Sequence, residues 1–193
     1  MGRKPTGVRK RILKASTELF YIQGYSNTGI SQIVEQANTT KSSLYQYFNS
    51  KKKLGYEYLK NYNQLLLKRV IRIMRKSTTP EEFVERWILG IKRSIQINKN
   101  YNGCPIAGFH FQLEMTENEN KEYIKRLANR WILVLGIYFS MKNEKGHNNS
   151  SHDSQQVARM IFSTYEGMLT LWKFTKNESV LDDAMILMKK VLN

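Results

Sequence analysis

Lys41, Ser42 and Ser43 place one long cation and two short hydroxyls side by side, and Tyr45 and Tyr47 add phenolic hydroxyls within the next turn. Such groups suit hydrogen bonding to base edges in the major groove of a duplex, with the tyrosines reaching flanking phosphates. Lys51, Lys52 and Lys53 follow at what reads as a helix start. There the free backbone N–H groups, the positive end of the dipole and the ammonium groups combine into a phosphate site. Catalytic chemistry is poorly provided for. Cys104, His110 and Glu114 are the only conceivable nucleophile, base and orienter, and on one helix Cys104 lies on roughly the opposite face from His110. His147 and His152 lack an i, i+4 ligand partner and His110 stands alone, so no metal site and no cofactor are expected. Cys104, the single cysteine, has no resolving partner and reads as a small residue at a helix start.

Charge agrees with a polyanionic partner. The 193 residues carry a formal net charge of +15, and residues 1–53 hold ten Lys and Arg against Glu18 and Glu35 alone. The N-terminal quarter is thus at +8, with Arg3, Lys4, Arg9, Lys10 and Arg11 available as a flexible basic arm. A single thiol and the lack of a signal-peptide pattern lead to an expectation of a cytoplasmic protein. The longest apolar stretch, Trp131 to Phe139, falls well short of a membrane span, so no membrane partner is expected.

Positioning these groups falls to helices, because apolar residues recur at helical spacing along most of the chain and strand-like alternation is nowhere sustained. The fold expected is all-α with about nine helices. A first helix over about 8–23 carries Val8, Ile12, Ala15 and Leu19 and stops at Gly24. A short second one, Ile30 to Ala37, follows a capping Thr28, and a third runs from a capping Thr40 through Phe48. Ser50 opens a long helix to about Met74. Thr79-Pro80-Glu81-Glu82 then reads as hydroxyl cap, first-turn proline and capping-box Glu before a fifth helix. Residues 98–103 read as a loop, 104–115 as a short helix, 142–153 as a polar loop, and two periodic helices close the chain.

Three short helices within fifty basic residues make a helix-turn-helix, followed by a C-terminal helical bundle. Between its two motif helices lies Gln36-Ala37-Asn38-Thr39-Thr40, where Asn38 is the residue able to take the positive φ that the turn requires. Leu44 and Phe48 face the core, which frees Lys41, Ser42 and Ser43 in the first turn of the reading helix. Residues 1–50 are therefore assigned to DNA binding and 51–193 to a second domain.

The ordered set Arg11-Ile12-Leu13-Lys14-Ala15, Leu19-Phe20, Gly24-Tyr25, Thr28, Ile30, Ile33, Ala37, Ser43-Leu44-Tyr45-Gln46-Tyr47-Phe48, Lys51 and Leu54 closely resembles the DNA-binding domain of the TetR family over about residues 8–58. It departs at Ser16 and Val34, where the family usually has alanine, and at Asn38, where it usually has glycine. The resemblance implies a transcriptional repressor that contacts double-stranded DNA, a roughly palindromic operator, through Thr28, Thr40, Lys41, Ser42, Ser43, Tyr45, Tyr47 and Lys51. It also implies a homodimer paired through the last two helices, and a small-molecule effector whose binding shifts the helix beginning at Lys51. Gly103-Cys104-Pro105-Ile106-Ala107 with Glu114 resembles a segment of the branch that answers to multidrug or flavonoid-like compounds.

Trp87, Phe109, Phe111, Trp131, Tyr138, Phe162 and Tyr165 are candidates to wall an apolar or aromatic effector site, with His110, Gln112 and Glu114 as polar groups among them. The same aromatics serve equally as solid core. Control by a protein partner instead of a small molecule is the alternative. Ser163, Thr164 and Gly167 would let two helices approach closely, at a dimer seam or within one subunit.

Overall fold

A computed structural model describes residues 6–98, 101–112, 118–144 and 152–193. Among these it is all-α, with nine helices: α1 Thr6–Ile22, α2 Ile30–Gln36, α3 Lys41–Phe48, α4 Lys51–Lys76, α5 Pro80–Ile97, α6 Pro105–His110, α7 Asn118–Asn143, α8 Ser154–Thr175 and α9 Ser179–Val191. Arg3, Lys4, Glu114 and His147 lie outside the described residues.

Two compact units form, one from Met1–Gln64 with Pro105–Glu114 and the other from Leu65–Cys104 with Met115–Asn193. By packing, the division falls after Gln64, and residues 105–112 join the N-terminal unit. The reason is apolar: the first half of α4 contributes fully buried Leu54 and Leu59 and nearly buried Tyr58 to that unit's core.

In the first unit α1, α2 and α3 pack on one another around Ile12, Phe20, Ile33, Leu44 and Phe48. Ser16 is fully buried with its hydroxyl donating to the Leu13 carbonyl at 3.0 Å, so a polar residue is accommodated at an alanine-like position. The buried stripe of α1 therefore runs through Ile12, Ala15, Ser16 and Phe20, and expected stripe members Val8 and Leu19 are only half-buried. Gly24 ends the first turn segment at φ +89°.

In the second unit α7 packs on α8, α8 on α9, and α5 on α9. Thr79 caps α5 as expected, its hydroxyl accepting the Glu82 N–H at 3.2 Å. Glu82 reaches back to the Thr78 N–H at 2.6 Å and the Thr78 hydroxyl at 2.8 Å, one residue earlier than a simple capping box would place it. Lys92–Asp182 and Lys189–Glu85 pair α5 with α9. Of the short helix expected over 104–115, Pro105–His110 is helical and Phe111 and Gln112 form a turn, while 113–115 lie outside the described residues. No helix among the described residues is long and apolar enough to cross a membrane.

Candidate nucleic-acid interface

The turn ahead of the reading helix is built from backbone hydrogen bonds. Thr39 N–H donates to the Val34 carbonyl at 2.9 Å and Asn38 N–H to the Glu35 carbonyl at 3.0 Å, with Asn38 at φ +46°. This is a Schellman ending with asparagine where glycine is usual. Thr40, in extended conformation, then starts α3, its hydroxyl accepting the Ser43 N–H at 3.1 Å. Leu44 and Phe48 are buried, which turns Thr40, Lys41, Ser42 and Tyr45 to the exposed side; Ser43 and Tyr47 are half-buried. The Ser43 hydroxyl also lies 3.1 Å from that of Thr40. Ser50 opens α4, its hydroxyl accepting the Lys53 N–H at 3.0 Å. The Lys51 ammonium sits 4.4 Å from the Tyr25 ring centroid, and partial burial lowers its pKa.

Two sequence expectations change here. Thr28 neither caps α2 nor faces out: it is 0% exposed, and its hydroxyl donates to the Gly24 carbonyl at 2.7 Å. The cap is Gly29, whose N–H donates to the Gln32 side chain at 2.7 Å. Second, Arg9, Lys10 and Arg11 belong to α1 and form no flexible arm. Arg9 pairs with Glu57 at 3.1 Å with its guanidinium over the Phe48 ring, and Arg11 donates to the Ala37 carbonyl at 2.9 Å and the Asn38 carbonyl at 3.3 Å.

The candidate effector residues divide between the two units. Phe109 is buried in the first, its ring 4.7 Å from Tyr25 and 6.4 Å from Tyr58. Gly55 makes room for it, because a Cβ there would meet Phe109 Cζ at 2.6 Å. Gln112 accepts the Ser26 N–H at 3.0 Å, and its carbonyl accepts the Ser26 hydroxyl at 3.2 Å. His110 is half-buried there, and Phe111 is 78% exposed. Within the first unit Phe109 thus finds its burial against Tyr25 and Tyr58.

The second unit does bring the others together. Trp87 lies 4.7 Å from Tyr165 and 6.3 Å from Trp131, Trp131 lies 5.9 Å from Phe162, and these rings are nearly parallel. Tyr138 joins through Phe83 at 4.9 Å. Sequence reading missed Glu166, one turn beyond Phe162. Its carboxyl is pushed up in pKa by burial, partly offset by a hydrogen bond from the Cys104 thiol, and its Oε2 is buried without a partner. A shallow cleft of about 430 Å³ lies along Gly136, Ser140, Asp153 and Gln155. Among the described residues no group of three His, Cys, Asp or Glu could hold a metal ion.

Residues 12–55 match the family model described as bacterial regulatory proteins, tetR family. The chain is 22% identical over 174 residues to the HTH-type transcriptional regulator LmrA of Bacillus subtilis, covering 90% of each chain. It is 20% identical over 188 residues to the HTH-type transcriptional repressor DhaR of Mycobacterium sp., covering 97% of this chain and 93% of that one. The fold is shared with the regulatory protein TetR from Rhodobacter sphaeroides, at TM-score 0.85 and 16% identity over 96% of this chain and 99% of that one. Reduced NemR of E. coli superimposes at TM-score 0.82 and 16% identity, over 96% and 97%. The helix-turn-helix, its basic surroundings and the matches to the family model and to named regulators point to a DNA-binding transcriptional regulator.

Proposed function

We propose that the chain acts as a cytoplasmic, homodimeric repressor that reads a roughly palindromic operator with α3 and leaves it when a small apolar or aromatic effector binds. The observation that carries the reading is the capped first turn of α3, where Lys41 and Ser42 stand exposed while Leu44 and Phe48 anchor the helix from behind. Thr40, Ser43, Tyr45 and Tyr47 add hydroxyls around them, and Lys51 supplies a phosphate contact at the start of α4.

Dimer formation is supported by the faces of α8 and α9 opposite their buried residues. Ser163, Gly167, Leu171 and Phe174 on α8, with Ile186 and Leu187 on α9, are all exposed, Phe174 by 76%. Apolar side chains gathered on two helices that pack together need a partner surface, and a two-fold copy matches a palindromic site. For the effector, the stacked Trp87, Trp131, Phe162 and Tyr165 offer apolar walls and Glu166 offers a buried acceptor. The Gly103–Ala107 segment supports a multidrug or flavonoid-like compound as its class.

Selection of a duplex from a randomised pool, followed by fluorescence anisotropy, tests the reading. Lys41→Ala is expected to relax base preference in the selected site at a cost of about 1–3 kcal/mol. Equal affinity of parent and variant for that duplex would refute reading by α3. Titrating flavonoids and planar aromatic compounds into the complex tests effector control. If none changes operator affinity, control by a protein partner takes its place.

A further inference from the structure

We infer that Arg11 is a positioning residue for operator recognition: it clamps the turn that aims α3, and it is not itself a phosphate contact. The inference rests on the reading of DNA by α3. Its ground is an accounting of the carbonyls at the end of α2, a helix of only seven residues, too short to hold its shape alone and without a basic residue in its last turn. The Schellman bonds satisfy the Val34 and Glu35 carbonyls, and the Ala37 N–H satisfies that of Ile33. The carbonyls of Gln36, Ala37 and Asn38 accept none of the turn's backbone N–H bonds, and they stand at the negative end of the helix dipole.

Arg11 meets the last two. Its Nε donates to Ala37 O at 2.9 Å and its Nη2 to Asn38 O at 3.3 Å, so one planar fork spans two consecutive carbonyls across 26 residues of sequence. Lysine, a point charge with rotating donors, cannot reproduce that geometry. A second strut joins the same elements, with Gln36 Nε2 donating to Glu18 Oε2 at 2.7 Å. The clamp matters because Asn38 holds φ +46°, a conformation asparagine takes more readily than other side chains but less readily than glycine, and the cap of α3 follows two residues later at Thr40. Freed of Arg11, the turn relaxes and moves Lys41 and Ser42 relative to the helices that support them.

The test uses the full-length protein, a duplex it selects from a randomised pool, and a scrambled duplex of equal length. For Arg11→Gln and Arg11→Lys alike, affinity for the selected duplex should fall about tenfold or more. Affinity for the scrambled duplex should stay within about twofold, so that the specificity ratio collapses. The slope of log affinity against log salt should be unchanged, whereas a lost phosphate contact flattens it by about 0.9. Adding Asn38→Gly to Arg11→Gln should recover much of the ratio, because glycine holds the turn without the clamp. The inference is overturned if Arg11→Lys binds as the parent does, if Arg11→Gln weakens both duplexes equally, or if the salt slope flattens. Misfolding would lower both affinities alike and count against it. Lys41→Ala, measured in parallel, reports separately on reading by α3: an unchanged ratio there overturns that reading, whatever the Arg11 variants do.

Discussion

At the scale of single residues, the helix-turn-helix depends on side chains whose partners are backbone carbonyls. Asn38 tolerates φ +46° because its short polar side chain is at ease in the left-handed region, where a β-carbon otherwise crowds the carbonyl. Asn38→Ala should therefore cost about 1 kcal/mol in a urea melt, and Asn38→Gly should cost nothing or stabilise. An alanine variant as stable as the parent would contradict the strain. Glu166 works in the opposite sense from most carboxylates. Burial raises its pKa above the ordinary 4.5, so as the pH climbs past that value the unfolded chain ionises first and stability falls until the folded carboxyl ionises as well. Glu166→Gln should abolish this loss and raise Tm at neutral pH relative to pH 4. Parallel pH profiles of parent and variant would show that the carboxyl is not isolated.

Elements are held by their ends and by the gaps they leave for one another. Thr79→Ala removes the cap of α5 and should cost about 1 kcal/mol in chemical denaturation. Glu82 is lowered to about 2, first by the Thr78 N–H and hydroxyl and then by Arg86. Its folded pKa is depressed, so its contribution is complete above about 4.5 and is lost as the pH falls through about 2. Glu82→Gln should flatten the acid limb of the stability profile, and an unaltered limb would show that the cap does not act through ionisation. α6 and α4 are fitted by a missing side chain. Gly55→Ala places a Cβ 2.6 Å from Phe109 Cζ and should destabilise by about 1–3 kcal/mol, with Phe109→Leu in the same background restoring most of it.

For the molecule as a whole, the decisive prediction concerns assembly. Charges at Leu171 and Leu187 point away from the buried faces of α8 and α9, so Leu171→Asp with Leu187→Asp should leave the fold intact and convert a dimer to a monomer in sedimentation velocity. Joint loss of two linked reading heads should weaken binding to a palindromic duplex by far more than binding to a half-site. A parent protein that sediments as a monomer at the concentrations of operator binding would refute pairing by these helices.

What sequence alone determined was local: the all-helical class, the caps at Thr40 and Thr79, the left-handed Asn38, and the inward Leu44 and Phe48. Each follows from neighbours within about four residues, where periodicity and capping chemistry act. Thr28 looked like a cap because hydroxyls often are, and only the packed corner showed its hydroxyl donating to Gly24. Arg11 looked like arm charge, yet its acceptors lie 26 and 27 residues away. That Phe109 groups with the N-terminal unit, where Gly55 leaves a ring-sized gap beside Tyr25 and Tyr58, was decided by tertiary packing. Glu166 carried no sequence signal, because burial of one carboxylate beside one thiol is a property of how α8 meets the segment before α6. Short-range rules fix which residues form a helix and which face is apolar. Which distant backbone or ring that face then meets is decided by packing among whole elements, where a single side chain's partner depends on every other helix being in place.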